Sequence, residues 1–410
     1  MRNDRMKIGI FTDQYYPMIS GVVTSIKMLY EGLSALGHEV YIFTFRVNMK
    51  KLTKTQKEEL ESKNVIFING IRYPFKSVKD YRFTFSYKKT LNKIKEYDLD
   101  VIHVQTEFSI SKIAMRASKK FGIPIIHTLH TSYKDYIQYL FPHLDKRFHR
   151  QLMYLEKKWF TGPISEASQV EIVPTKKVIQ DFELYGVKNQ DVEIVPTGIE
   201  IERFQIQNAN PVMIREIKDK YKINDTDFIF AYIGRTSKEK NIEMLIEAFA
   251  MAFTNTPHVK FMLVGGGPEL DDLKKYADKQ GITNQMIFTD LVPWEEVPQY
   301  YHIFNIFMNA SKSETQGLTY IEALSSGTPV LVQSDEAVEG LIEEGYNGFI
   351  FDSLEECIEK MSYIFNNQDV LFDMKKNATS TSKEYSKEKF AQSVLKIYEE
   401  AIKKYNKNKE

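Results

Sequence analysis

The sequence predicts an α/β protein of two doubly wound domains, each a parallel sheet with helices on both faces. Three observations carry this. Short apolar runs alternate with amphipathic stretches, as in successive β-α-β units. The alternation restarts after residue 205. Loops bearing glycine or charge follow the apolar runs, at the strand ends where open parallel sheets gather their ligands. A chain of 410 residues suits two or three domains.

In chain order, Lys7–Thr12, Glu39–Phe43, Val65–Ile68, Val101–Gln105 and Ile123–Thr128 read as strands of the first domain. Val22–Leu36, Tyr87–Tyr97 and Ser111–Phe121 carry the spacing of its helices. In the second half the strands are Phe228–Ile233, Val259–Val264, Met286–Phe288, Ile306–Asn309, Val330–Gln333 and Gly348–Phe351. Ile242–Ala252, Leu270–Gln280, Tyr320–Ser326 and Leu354–Phe365 read as its helices, and Lys387–Asn406 as a final one. The polar stretch Glu202–Pro211 is the expected linker. The expected domains are therefore 1–205, 206–386 and a terminal helix over 387–410.

Composition narrows the class. Hydrophobic residues at 43% and charged residues at 27% are ordinary for a globular chain and exclude a disordered one. No run of eighteen apolar residues is present to span a membrane. The polar start at Met1–Lys7 leads straight into a strand, with no secretory pattern. Cys357 is the one cysteine, which excludes an intramolecular disulfide and an all-cysteine metal site. These features point to the cytoplasm. Net charge is zero, but it is divided: residues 1–205 carry 32 basic against 23 acidic side chains, and the rest carry 23 against 32. Residues 46–160 alone hold 24 basic and 11 acidic groups. That asymmetry suggests an anionic partner for the first half, a membrane surface or a nucleic acid.

Five loops carry the candidate chemistry. Asp13 to Val23 follows the first strand, and Gly21 opens the first helix, where free N–H groups suit an anion. The glycine fingerprint of dinucleotide binders is missing there. His127-Thr128-Leu129-His130-Thr131 ends the fifth strand, with His130 at its exit. Two histidines so spaced suit a metal, but no cysteine or nearby acid completes a ligand set. Gly234-Arg235-Thr236-Ser237-Lys238-Glu239-Lys240-Asn241 places Arg235 and Lys240 at a helix start, a pairing suited to a diphosphate. Gly265-Gly266-Gly267-Pro268 allows close backbone approach. In Ser313 to Ala323, Glu314 lies in a loop, Gly317 precedes a helix, and Glu322 sits on that helix. Two carboxylates flanking free N–H groups can hold sugar hydroxyls, ribose and phosphate together.

Gly21, His130, Arg235, Lys240, Glu314 and Glu322, in this order, resemble family 4 of the retaining nucleotide-sugar glycosyltransferases. Val195-Pro196-Thr197-Gly198-Ile199-Glu200, Gly327-Thr328-Pro329-Val330 and Gly345-Tyr346-Asn347-Gly348 match further stretches of that family, so the resemblance spans the chain. It implies the GT-B fold: two Rossmann-like domains facing a cleft, with the last helix crossing back to the first. It also implies a UDP- or GDP-sugar donor held by the second domain and an acceptor held by the first. By this resemblance Arg235 and Lys240 neutralise the donor diphosphate and Glu322 bonds the ribose. Glu314, with the backbone of Gln316, Gly317, Leu318 and Thr319, holds the sugar. Gly21 sits near the distal phosphate and His130 at the reacting centre. Ser20-Gly21 stands where the family has paired glycines. An Asp-x-Asp element is missing, which favours a site needing no divalent metal and no tightly bound cofactor.

A narrower resemblance runs from His127 through Tyr139, to bacterial diacylglycerol glucosyltransferases. Lys134 stands where those enzymes have an acid, and Gln138 where they often have histidine. Basic and aromatic residues also interleave over Arg72–Lys76, Tyr81–Lys89 and Lys146–Phe160. Lys88, Lys89, Lys157, Lys158 and Trp159 there suit an anionic membrane surface. No RNA-binding module is recognisable, so nucleic acid ranks well below a membrane. The expected function is transfer of a hexose, from UDP-glucose, to diacylglycerol or its glycoside, by an enzyme peripheral to the inner face of the plasma membrane. The alternative is a soluble enzyme of the same fold with a sugar, wall-polymer or protein acceptor.

Overall fold

The computed structural model describes residues 5–18, 20–72, 82–84, 86–130, 145–179 and 191–407. The chain divides into two compact units, Met1–Gly198 with Lys387–Glu410, and Ile199–Ser386.

The first unit runs β1 (Lys7–Phe11), α1 (Gly21–Ala35), β2 (Glu39–Phe45), α2 (Lys54–Ser62), β3 (Val65–Ile68), β4 (Ile71–Arg72), β5 (Arg82–Phe83), α3 (Tyr87–Lys95), β6 (Val101–Val104), α4 (Ser109–Phe121), β7 (Ile125–Thr128), α5 (Lys146–Trp159), α6 (Thr161–Ala167), β8 (Val170–Val173) and β9 (Asp191–Ile194). Its main sheet is parallel, in the order β3-β2-β1-β6-β7-β8-β9. β4 and β5 form a separate antiparallel pair. β6 and β7 are buried at every position, as expected of strands covered on both faces. One face packs on α1 and the C-terminal helix (Lys387–Lys407), and the other on α3, α4 and α6. The C-terminal helix buries Phe390, Ala391, Val394, Ile397, Tyr398 and Ala401, a stripe at helical spacing that lies on α1. Gly32 of α1 allows that approach: a Cβ there would meet the Ala391 Cβ and the Lys387 carbonyl.

The second unit runs α7 (Pro211–Tyr221), β10 (Phe228–Ile233), α8 (Ile242–Phe253), β11 (Val259–Val264), α9 (Leu270–Lys279), β12 (Met286–Phe288), α10 (Val297–Tyr301), β13 (Ile306–Asn309), α11 (Leu318–Ser325), β14 (Val330–Gln333), β15 (Gly348–Phe351), α12 (Leu354–Asn366) and α13 (Val370–Ser382). Its parallel sheet has the order β12-β11-β10-β13-β14-β15. In both sheets the strand order reverses beside the first strand, the switch point where α/β sheets bind ligands.

Four local differences from expectation have physical causes. β8 and β9 extend the first sheet beyond the fifth expected strand. Glu171 interrupts the apolar run of β8, yet it is fully buried because His127 of β7 stands opposite it in register. β7 starts at Ile125 rather than Ile123, because Pro124 has no N–H to give the ladder. α4 starts two residues early: Asp13, from the loop after β1, accepts hydrogen bonds from the Ser109 and Ile110 N–H groups and caps it from outside. Glu202–Pro211 is not a free linker. Ile201 and Phe204 are buried in the second unit, and Arg203 stacks on Trp294 with its guanidinium 4.6 Å from the ring centroid. Residues 131–139 of the narrower motif, and 73–81 and 85 of the basic-aromatic stretches, lie outside the described residues.

Candidate functional site

The second unit gathers its candidates on the loops after β10, β11 and β13. The chain leaves β10 at Gly234 and turns through Lys238–Lys240 into α8. The glycine run after β11 packs against this loop, and the Thr236 N–H donates to the Gly266 carbonyl at 3.1 Å. Lys240 and Glu314, 74 residues apart, meet there: Lys240 Nζ donates to Glu314 Oε1 at 2.6 Å, with both side chains largely buried. Arg235 donates to Glu239 Oε1 at 2.6 Å, but its side chain is 61% exposed. Glu239 also accepts from Ser237 Oγ at 2.6 Å. Each cation is thus held by a carboxylate, and each keeps donors for a further anion, since ammonium has three and guanidinium five.

The loop after β13 turns into α11 through Gly317, whose φ of 75° favours glycine. Gln316 beside it is buried, and Leu318 and Thr319 open α11 half-buried. Glu322, in the middle of α11, is 5% exposed and accepts from the Tyr301 hydroxyl at 2.8 Å. Burial pushes its carboxyl up to about 7, against the opposing pull of that hydroxyl and of Arg203. In its charged form this group accepts hydroxyl hydrogen bonds strongly, because burial leaves it few competitors. The sequence does not mark Tyr301 or Glu239 as site residues: Glu239 stands within the charged loop Gly234–Asn241, and Tyr301 lies in a short helix with no motif around it.

In the first unit, Ser20 caps α1 by accepting from the Val23 N–H, and Gly21 is exposed at the helix start. His130 lies two residues beyond β7, half-buried, with Nε2 at 2.7 Å from Gln105 Oε1. Burial holds its ring neutral, down to about 4. His127 has the opposite fate. Burial alone would depress it, but Glu171 at 2.8 Å and Glu107 at 3.3 Å raise it to about 10. Its charged form is thus favoured between two carboxylates, with Nδ1 bonded to Glu171 and Nε2 facing Glu107. Among the described residues no group of three or more His, Cys, Asp or Glu could hold a metal ion.

The basic candidates lie on α3 and α5. Lys88 and Lys89 are exposed on α3, whose Leu91 and Ile94 are buried. α3 packs on α4, α4 on α6, and α5 runs into α6. On α5, Phe148 and Trp159 are 58% and 56% exposed, beside Arg147, Arg150 and Lys158. Lys157 is half-buried, and Lys158 Nζ lies 5.6 Å from the Trp159 ring centroid. Exposed aromatics among cations are costly in water and suit a lipid headgroup layer. No helix among the described residues is long and apolar enough to cross a membrane.

Comparison with known proteins agrees with this layout. Residues 19–203 match the family described as Glycosyltransferase Family 4, and residues 213–381 match Glycosyl transferases group 1. The chain is 36% identical over 403 residues to the alpha-monoglucosyldiacylglycerol synthase of Acholeplasma laidlawii, covering 98% of this chain and 99% of the relative. It is 35% identical to the alpha-monoglucosyldiacylglycerol synthase of Streptococcus pneumoniae, covering 84% of this chain and 75% of the relative. The Anabaena HepE structure with UDP and glucose superposes with a TM-score of 0.73 at 17% identity, covering 97% of this chain and all of that one. A glycosyltransferase from Rickettsia africae superposes with a TM-score of 0.75 at 18% identity, covering 98% of this chain and all of that one.

Proposed function

The chain belongs to glycosyltransferase family 4 and has the GT-B fold, and from that premise we propose that it is a retaining enzyme that moves glucose from UDP-glucose onto diacylglycerol. The observation that carries this reading is the likeness to two monoglucosyldiacylglycerol synthases, one of them matched over its whole length. UDP with glucose in a solved relative of the same fold supports the donor.

In this reading Lys240 and Arg235 meet the negative charge that grows on the diphosphate as it leaves. No divalent ion is assigned to that task. Glu322 accepts from the ribose hydroxyls. Glu314 accepts from the sugar, helped by the backbone from Gln316 to Thr319. Gly21 approaches the distal phosphate, and His130 bonds a hydroxyl at the reacting centre. The acceptor hydroxyl oxygen joins the anomeric carbon as the bond to the diphosphate oxygen breaks. Its proton passes to the departing diphosphate. Attack from the face that the diphosphate leaves keeps the donor's configuration.

The lipid acceptor stays in its bilayer, so the enzyme must come to it. The α3 and α5 surface, with Lys88, Lys89, Lys157, Lys158 and Trp159, is the proposed docking face on an anionic cytoplasmic leaflet. The test of the donor site separates its two carboxylates. Glu322→Ala is expected to weaken UDP itself, by roughly tenfold or more for loss of a charge-assisted bond. Glu314→Ala is expected to leave UDP affinity within about threefold while cutting turnover. Calorimetry with UDP, beside the steady-state rate with UDP-glucose, reads both. The reverse pattern would exchange the two roles.

A further inference from the structure

A chain of four side chains leads from the C-terminal helix to His130. Tyr398 of that helix is fully buried, with its hydroxyl 2.6 Å from His103 Nδ1. His103 Nε2 lies 3.0 Å from Gln105 Nε2 and 2.7 Å from Thr128 Oγ1. Gln105 Oε1 lies 2.7 Å from His130 Nε2. His103 and Gln105 are each 1% exposed, so water does not compete for these bonds. The two residues stand at and just beyond the end of β6, beside β7, from which His130 emerges.

The donor and acceptor inventory gives the chain a direction. With the Gln105 amide oxygen turned to His130, His130 carries its proton on Nε2. The amide nitrogen then faces His103 Nε2, which accepts from it and from the Thr128 hydroxyl, and the His103 proton sits on Nδ1, where the Tyr398 oxygen accepts it. The orientation of the Gln105 amide thus sets which His130 nitrogen keeps a lone pair. We propose that Gln105 is a positioning residue that holds His130 as its Nε2–H tautomer, with Nδ1 as hydrogen-bond acceptor. Tyr398, as acceptor for the His103 Nδ1 proton, supports the Gln105 amide in this orientation. The inference rests on the reading of His130 as a group at the reacting centre.

The surroundings are consistent with a ring kept neutral. Burial lowers His130 most, Glu107 pulls the other way, and the His127 charge adds to the lowering. Behind His127 stands Glu171 of β8, and Glu156 of α5 also feels Glu107 and His127. Asp13 is taken up by Thr106 and the start of α4. His103 is held well below the ordinary histidine range by burial, with His130 and His127 adding to the effect. A neutral ring has two tautomers, and only a fixed partner chooses between them.

The test combines nitrogen-detected NMR of histidine-labelled protein with kinetics. In the wild type, the His130 resonances are expected to show the Nε2–H form. Gln105→Leu is expected to mix the tautomers and lower kcat by roughly tenfold or more, the scale of positioned proton and hydrogen-bond contributions. The KM for UDP-glucose should stay within about threefold. Gln105→Glu should move the acid limb of the kcat profile to higher pH, since a carboxylate favours the charged ring that must be neutral to accept. Tyr398→Phe, a change too small to unfold the helix, should shift the tautomer balance in the same direction. An Nδ1–H form in the wild type overturns the proposal. So does an unchanged tautomer in both Gln105→Leu and Tyr398→Phe while His130→Ala abolishes transfer. If His130→Ala leaves transfer intact, the role of His130 fails instead, and the tautomer measurement still decides the role of Gln105.

Discussion

Lys240→Ala is expected to lower kcat by roughly a hundredfold or more, and Arg235→Ala by less. Both cations belong to the proposed leaving-diphosphate site, and removing one preorganised donor from a developing charge costs on the order of 10²–10³ in rate. The structure separates the two. Lys240 is largely buried against Glu314, whereas the Arg235 side chain is 61% exposed. A cation shielded from water acts on a nearby charge through a lower effective dielectric, so its loss is felt more. Lys240→Ala also leaves Glu314 without its cation, next to where more negative charge must bind. Lys240→Arg keeps the charge but not the compact geometry, and should recover part of the rate. Steady-state turnover of the three variants with UDP-glucose checks this. Equal, near-wild-type rates would remove both residues from the site.

The second large effect concerns the membrane. Exchanging Lys88, Lys89, Lys157 and Lys158 together for glutamate is expected to abolish sedimentation with anionic vesicles. Each basic residue near such a surface contributes about 1 kcal/mol, and reversal turns attraction into repulsion. Binding by the wild type should weaken as salt rises, because exposed charges are screened beyond ~8 Å at physiological ionic strength. UDP affinity should not change, because these four residues lie on α3 and α5, whereas Arg235, Lys240 and Glu322 lie in the second unit and Gly21 opens α1. Neutral vesicles should bind less protein and support less transfer. Binding indifferent to lipid charge and to the four substitutions would reduce this face to an ordinary solvated surface, and a soluble acceptor would then lead.

Most of the fold was legible because its strands are short, buried runs whose signal survives in a single sequence. Phe228–Ile233 and Val259–Val264 stand at the expected residues. β8 was not legible, because a glutamate inside a strand reads as exposed until its partner is known, and His127 lies 44 residues away. The capping of α4 by Asp13 was hidden for the same reason: the cap comes from another loop. At the site, residue types in a spaced pattern marked Arg235, Lys240, Glu314 and Glu322. The pairing of Lys240 with Glu314 is a tertiary fact that no local spacing contains. The same holds for Tyr301 beneath Glu322, and for Gln105 and Tyr398 behind His130. Tyr301 and Gln105 are ordinary residues that become informative only once the fold sets them within 3 Å of a candidate, and Tyr398 only through His103.

The central claim is glucose transfer to a lipid in its membrane, and one measurement tests it most directly. The protein is incubated with radiolabelled UDP-glucose and vesicles of anionic lipid, with and without diacylglycerol, and the organic-soluble product is isolated. The account predicts label in that fraction only when diacylglycerol is present, as glucosyl-diacylglycerol with the α-configuration of the donor. Label confined to water-soluble products, or a β-linked glycolipid, would contradict it.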